Sequence, residues 1–262
     1  MKIGELLDVN NEYDFYDFGE NHYVKLFEES YDQEKIINEF EKSIYISSIF
    51  NNCPKGTEII ELEDRTGIVY KKEEGETFLY LIEEADVSID VEAKRFASIH
   101  AEVHHVKCDS LIDQKSFFEN QINACEDITL DDKNKLINLL NELPTGETLC
   151  HGNYHLNNVI LNDKGYKLLD VGCAYKGHSM SDVAKSCVVL DVPRYLSGAS
   201  QLFHEELRKM RIQFMNLYLQ YYQKFAPFDE DLCLQFYKLA AVVRLNGKFE
   251  NEKEWLLNVI RN

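Results

Sequence analysis

The chain has 262 residues, 45% of them apolar, and carries a formal charge of −18. That length supports a sizeable core in one two-lobed unit or two small domains, and so acidic a chain lacks the basic footprint that nucleic acid or an anionic membrane demands. Seven scattered cysteines with no C-x-x-C spacing, no basic-then-apolar leader and no apolar run of bilayer length point to a soluble, cytoplasmic protein with reduced thiols.

From Ile3 to Phe27 short apolar bursts are separated by Asn10-Asn11 and by Gly19-Glu20-Asn21, the pattern of antiparallel strands joined by turns. The last burst, His22 to Phe27, alternates as a strand and carries Lys25. Glu34 to Phe50 places Ile36, Ile37, Phe40, Ile44 and Ile49 at helical spacing. Two further strands are expected at Glu58–Glu63 and Gly67–Tyr70, with Arg65-Thr66-Gly67 as their turn. The charged, Gly-punctuated stretch from Lys71 to Thr77 then reads as a hinge between a β-rich and a helical part.

Val91 to Val106 is an amphipathic helix with Phe96, Ile99, Val103 and Val106 on one face. His100 and His104 lie one turn apart on it and could clasp a metal, and with His151 and His155 they would make a metal hydrolase the third class of function. The H-E-x-x-H pattern is absent and no third ligand is apparent, so packing or surface histidines are the preferred reading. Thr129 caps the next helix with Asp132 three residues on, and Leu136, Leu139, Leu140 and Leu143 form its buried stripe up to Pro144. Asp182–Leu190, Gln201–Phe225, Asp231–Leu245 and Glu252–Ile260 are also helix-like; Phe214, Tyr218, Tyr221, Tyr222 and Phe225 read as helix-packing core.

Between these helices runs LCHGNYHLNNVILNDKGYKLLDVGCAYKGHSMSD, from Leu149 to Asp182. It reads as a loop, a strand over Val159–Leu161, a turn at Asp163-Lys164-Gly165, a second strand ending at Asp170, and a polar loop. A hairpin brings Asn158 and Asp170 to the same end of a small sheet, where an amide oxygen and a carboxylate suit a hard divalent ion such as Mg²⁺.

The run His151-Gly152-Asn153-Tyr154-His155-Leu156-Asn157-Asn158, followed by Leu168-Leu169-Asp170, resembles the H-G-D-x-H-x-x-N loop and I-D motif of the aminoglycoside phosphotransferase and choline kinase superfamily. The resemblance implies an α+β, two-lobed protein-kinase-like fold. Residues 1–72 would form a small antiparallel β lobe with one helix that binds nucleotide; residues 73–262 would form a larger, mainly helical lobe with the catalytic loop, metal loop and acceptor site. It implies that Lys25 reaches the phosphates of ATP and is held by Glu39, that Asn158 and Asp170 hold Mg²⁺, and that His151, His155 and Asp182 brace the loops. Adenine would hydrogen-bond to backbone at Tyr70, Lys71 and Lys72. The acceptor would be a hydroxyl of a small molecule, a cationic one being favoured by the acidic chain, with Asp191, Glu205, Glu206 and Arg244 as candidates to line its pocket.

Two parts depart from the family's pattern. Asp8 to Tyr13 reads DVNNEY without the glycines of a phosphate loop, although Asn10-Asn11 could make a tight turn. Asn153 stands where the catalytic Asp belongs, and a neutral amide accepts the acceptor's hydrogen bond but cannot take its proton. A phosphotransferase weakened by Asn153 and an inactive pseudokinase that binds nucleotide or ligand are both compatible with this sequence.

Overall fold

The computed structural model describes every residue except 1–2, 10–11, 85–86, 194–197 and 199. In chain order the elements are β1 (Ile3–Val9), β2 (Tyr13–Phe18), β3 (His22–Phe27), α1 (Gln33–Ile49), β4 (Gly56–Leu62), β5 (Arg65–Lys71), β6 (Glu76–Thr77), α2 (Phe78–Glu84), α3 (Ile89–His104), α4 (Gln114–Ala124), α5 (Leu130–Glu142), β7 (Thr148–Cys150), β8 (Val159–Asn162), β9 (Gly165–Leu168), β10 (Tyr175–Gly177), α6 (Ser179–Asp191), α7 (Gln201–Phe225), α8 (Glu230–Leu245) and α9 (Lys253–Arg261). The fold is α+β as expected: a five-stranded antiparallel sheet near the N-terminus and a larger helical part.

The chain forms two compact units, one of residues 1–77 with 157–173 and one of residues 78–156 with 174–262. The grouping differs from the expected 1–72 and 73–262 because β8 and β9 pair with β6 in a three-stranded sheet, which attaches the hairpin carrying Asn158 and Asp170 to the first unit.

In the first unit the strand order is β1-β2-β3-β5-β4. Strand alternation sorts the side chains of β3 and β5 between two faces. Val24, Leu26 and Val69 pack with Phe18 on one; Phe27, Ile68 and Tyr70 pack on Ile36 of α1 on the other, with Tyr13, Tyr23, Tyr31 and Phe40 around them. Asp32 caps α1 by accepting from the Glu34 N–H at 2.9 Å. The stripe α1 buries is Ile36, Ser43 and Ile46. Ile37 and Ile44, expected in it, are exposed, because the period that meets the sheet runs 36, 39, 43, 46 and so includes Glu39. The β4–β5 turn sits at Glu63-Asp64, not at Arg65-Thr66-Gly67; Glu63 takes the left-handed conformation (φ 54°) and Arg65 already pairs with Leu62. The expected turn at Asn10-Asn11 lies outside the described residues.

In the second unit α3 packs on α7 and α6 on α8, with the short antiparallel pair β7–β10 beside them. Thr129 and Asp132 form the expected capping box of α5, each side chain accepting from the other's backbone N–H at 3.1 Å. Phe214, Tyr218 and Tyr222 are buried on α7 as core, whereas Tyr221 lies on its outer side and donates to Asp90. All seven cysteines are free thiols. No helix among the described residues is long and apolar enough to cross a membrane.

Candidate active site

The candidate residues fall into two groups, one in each unit. In the first, Lys25 is 3% exposed on the face of β3 that meets α1. Its ammonium donates to Glu39 Oε1 at 2.8 Å and to Asp170 Oδ1 at 3.2 Å, and lies 3.8 Å from the centre of the Tyr13 ring. Burial alone would pull the Lys25 ammonium toward neutrality, but the carboxylates of Asp170 and Glu39 outweigh it and hold its pKa well above the usual lysine value. The lysine of β3, the glutamate of α1 and Asp170 thus meet at one point, a cation between two anions.

Local structure explains the meeting. Leu169 N–H donates to the Asn158 carbonyl at 2.9 Å, which closes the β8–β9 hairpin and brings the backbones of Asn158 and Asp170 side by side. Asp170 adopts φ 51°, a left-handed conformation that Asp tolerates better than most side chains. The chain then turns past Gly172, where a Cβ would come within 2.8 Å of the Glu39 carboxylate and would have to displace it. Lys42, also on α1, donates to the Gly172 carbonyl at 2.5 Å and locks that turn.

Tyr13, Lys42 and Gly172 were not visible as site residues in the sequence. For Gly172 the signal was its place two residues after Asp170. Tyr70 is buried and stacks on Tyr23 at 5.3 Å. Lys71 is exposed at the end of β5, and the Lys72 N–H donates to the Asn21 carbonyl at 2.9 Å while its ammonium pairs with Asp17.

In the second unit the loop His151–His155 is organised by Asp182, which is fully buried on α6. Its Oδ2 accepts from the His151 N–H at 2.6 Å and its Oδ1 from the Gly152 N–H at 2.9 Å. Gly152 has φ 77°, the left-handed turn that allows successive amides to converge on one carboxylate. The Asn153 N–H donates to His151 Nδ1 at 3.2 Å, and the next residue is anchored twice: Tyr154 donates to the Phe96 carbonyl at 2.7 Å and accepts at its own carbonyl from Ser186 at 2.8 Å. Asn153 and His155 are half-buried and His151 is buried. Asp182 and the His151 ring thus hold this loop through its backbone amides.

His100 and His104 turn their Nε2 atoms to Asp182 Oδ2, at 3.1 and 3.3 Å. The third group that the sequence did not reveal is this aspartate, and the three ligand atoms form a cluster of metal-binding size. Each imidazole also meets a phenol through Nδ1, Tyr218 at 2.7 Å and Tyr222 at 2.6 Å. Burial and the neighbouring His104 push the pKa of His100 down to about 3, against the hydrogen bond to Asp182.

Among the acceptor-pocket candidates, Arg244 is pinned by two 2.6 Å hydrogen bonds to Glu252, and Glu206 pairs with Lys209 on the exposed start of α7. Glu205 lies there too and accepts from Gln201. Asp191 faces a cavity of about 460 Å³ between α6, α7 and α8, where it accepts from Tyr237 at 2.7 Å.

A five-stranded sheet with one helix, a buried Lys–Glu pair, a braced His-Gly-Asn-x-His loop and a helical second part define the protein-kinase-like fold of small-molecule kinases. Within it, the chain belongs to the phosphotransferase enzyme family, whose model matches residues 24–228. Its structure is similar to that of amicoumacin kinase hAmiN in complex with AMP-PNP, Ca²⁺ and Ami, at a TM-score of 0.66 and 16% identity over 98% of this chain and 86% of that one. It is also similar to the gentamicin complex of APH(2")-IIa, at 0.59 and 18% over 99% and 92%, and to choline kinase from Cryptosporidium parvum Iowa II, at 0.55 and 12% over 99% and 87%. No curated protein sequence matches the chain.

Proposed function

We propose that the protein transfers the γ-phosphoryl group of ATP to a hydroxyl of a small molecule, with Lys25, Glu39 and Asp170 serving the nucleotide and Asn153 the acceptor. The observation that carries this reading is Lys25 held between Glu39 and Asp170. A buried cation costs several kcal/mol to desolvate, and this one sits where a kinase-like fold needs a positive charge aimed at phosphate. Asp170 and Asn158 offer hard oxygen donors that fit Mg²⁺, and these residues would hold it. When bound, that ion supplies neutralisation of phosphate charge. The connector at Tyr70–Lys72 takes the base through groups other than the Lys72 amide, which Asn21 already holds.

Asn153 accepts the acceptor's hydrogen bond through its amide oxygen and orients the hydroxyl, without taking the proton; His151 and His155 hold the loop. Positioning of this kind supports transfer because phosphoryl transfer asks for little covalent help. Asp191, in the cavity between α6, α7 and α8, is the candidate carboxylate for a cationic acceptor, in exchange with Arg208, which lies 3.8 Å from it. A second reading, a pseudokinase that keeps the nucleotide and has lost transfer, is favoured by the absence of a proton acceptor at Asn153.

The test is incubation with ATP–Mg²⁺ and a panel of amino alcohols and amino sugars, with phosphorylated product detected by mass spectrometry for the native protein and for Asn153→Asp. Transfer by the native protein supports the kinase reading, and transfer by Asn153→Asp alone establishes the pseudokinase. Transfer by neither overturns the acceptor chemistry.

A further inference from the structure

We propose that Cys187 and Cys233 form an oxidation site, a pair of buried thiols that a peroxide converts into a disulfide joining α6 to α8. The site is separate from phosphotransfer and stands whether or not the protein is a kinase.

The packing register of the two helices brings the thiols together. α6 lies against α8, and Tyr237 of α8 donates to Asp191 of α6 at 2.7 Å. That bond fixes one rung between the helices. Residues one turn apart share a helix face, so the preceding rung on both helices pairs Cys187 with Cys233. The two thiols are in hydrogen-bond contact. Both sulfurs also stand near enough to the Tyr237 phenol to help keep its proton on, after burial and Asp191.

The pair is buried yet reachable. Cys187 is 3% and Cys233 6% exposed, and both line the cavity of about 460 Å³ between α6, α7 and α8. A peroxide is little larger than water, which fills about 30 Å³ in the liquid, so this cavity admits it with room to turn.

The hydrogen bond with Cys233, together with burial, holds the pKa of Cys187 well above the usual thiol value. Cys187 therefore keeps its hydrogen, and Cys233 reacts first, because the thiolate is the nucleophile. The Cys233 sulfur attacks one peroxide oxygen; the O–O bond breaks, the sulfur becomes a sulfenic acid, and the displaced hydroxide leaves as water with the proton Cys233 has shed. The Cys187 sulfur then attacks the Cys233 sulfur. An S–S bond forms, the S–O bond breaks, and the hydroxyl leaves with the Cys187 proton as a second water. Two thiols and one hydrogen peroxide give one disulfide and two waters.

In the experiment the native protein is treated with stoichiometric hydrogen peroxide, denatured in iodoacetamide, digested and mapped by mass spectrometry. The expected main product is a peptide pair joined through Cys187 and Cys233, two hydrogens lighter than the separate peptides and parted again by dithiothreitol. In Cys187→Ala the same treatment leaves Cys233 as a sulfenic acid that dimedone traps. In Cys233→Ala, Cys187 stays a thiol.

The urea midpoint then tells a fitting disulfide from a forced one. A cross-link that closes the chain between α6 and α8 without distorting either helix raises the midpoint of the oxidised native protein by about 1–2 M. Dithiothreitol reverses the rise, and Cys187→Ala shows none. Cys187 and Cys233 both recovered as alkylated thiols, another cysteine pair as the main disulfide, or a lowered midpoint overturns the proposal. So does a rise that persists in Cys187→Ala. If a variant does not fold, the map and the midpoint of the native protein decide by themselves. Neither readout involves phosphotransfer, so the kinase reading can fail without touching this result.

Discussion

Replacing Lys25 by Met tests whether the buried ion cluster is built or incidental. Methionine keeps an apolar stem of similar length but removes the charge that lies over the Tyr13 and Phe27 rings and is shared by Glu39 and Asp170, whose side chains are only 13% and 12% exposed. Breaking a buried pair from one side costs about 3–5 kcal/mol, because the remaining charge is left without compensation. The slight water access of both carboxylates places Lys25→Met at the lower end, about 3 kcal/mol. With a urea slope of about 2 kcal/mol per molar, the unfolding midpoint of the first unit falls by about 1.5 M. Adding Glu39→Leu to Lys25→Met removes one stranded anion and restores at least about 1 kcal/mol, a non-additivity that only contacting residues show. Urea titrations of the native protein, both single variants and the double variant give these numbers. A Lys25→Met midpoint within about 0.25 M of native refutes the reasoning, since the cluster would then behave as an exposed ion pair.

Asn153→Asp restores a proton acceptor on a loop already held by Asp182, and raises kcat for phosphotransfer by ~10²–10⁴; a gain below about tenfold in a coupled ADP-release assay means that this position does not govern transfer. Acid stability carries the signature of His100. Its folded pKa is depressed to about 3, against about 6.5 in the unfolded chain, so the unfolded state alone takes the proton between these values. That contribution is complete above about pH 6.5 and is lost as pH falls toward 3, at about 1.4 kcal/mol per pH unit. Urea midpoints at pH 7, 6, 5 and 4 show a slope shallower by one proton in His100→Gln, and equal slopes contradict the assignment.

The residues of the site were legible where the chemistry is local. Period-two alternation put Lys25 on a strand, a loop motif marked His151 to Asn158, and Thr129-x-x-Asp132 announced the start of α5. What stayed hidden depends on partners far along the chain. His100 and His104 looked like a metal pair lacking a third ligand because Asp182 lies 82 and 78 residues away. The face of α1 was read from Ile36, Ile37, Phe40, Ile44 and Ile49, but the buried stripe takes Ile36 together with Ser43 and Ile46, and so includes Glu39. Helices α2 and α4 are short and weakly patterned, and their buried residues, Phe78, Phe117, Phe118 and Ile122, are fixed by tertiary packing rather than by periodicity. The hairpin β8–β9 joins the first unit by pairing with the two residues of β6, too short a strand to read from sequence.

Calorimetric titration with ATP, run with and without Mg²⁺ and beside the Lys25→Met protein, tests the central claim most directly. Saturable binding that tightens at least tenfold with Mg²⁺ and is lost in Lys25→Met is the predicted result, accompanied by about 2.7 kcal/mol of added stability at a hundredfold the Kd. No heat of binding at millimolar ATP, or binding indifferent to both Mg²⁺ and Lys25, contradicts the account.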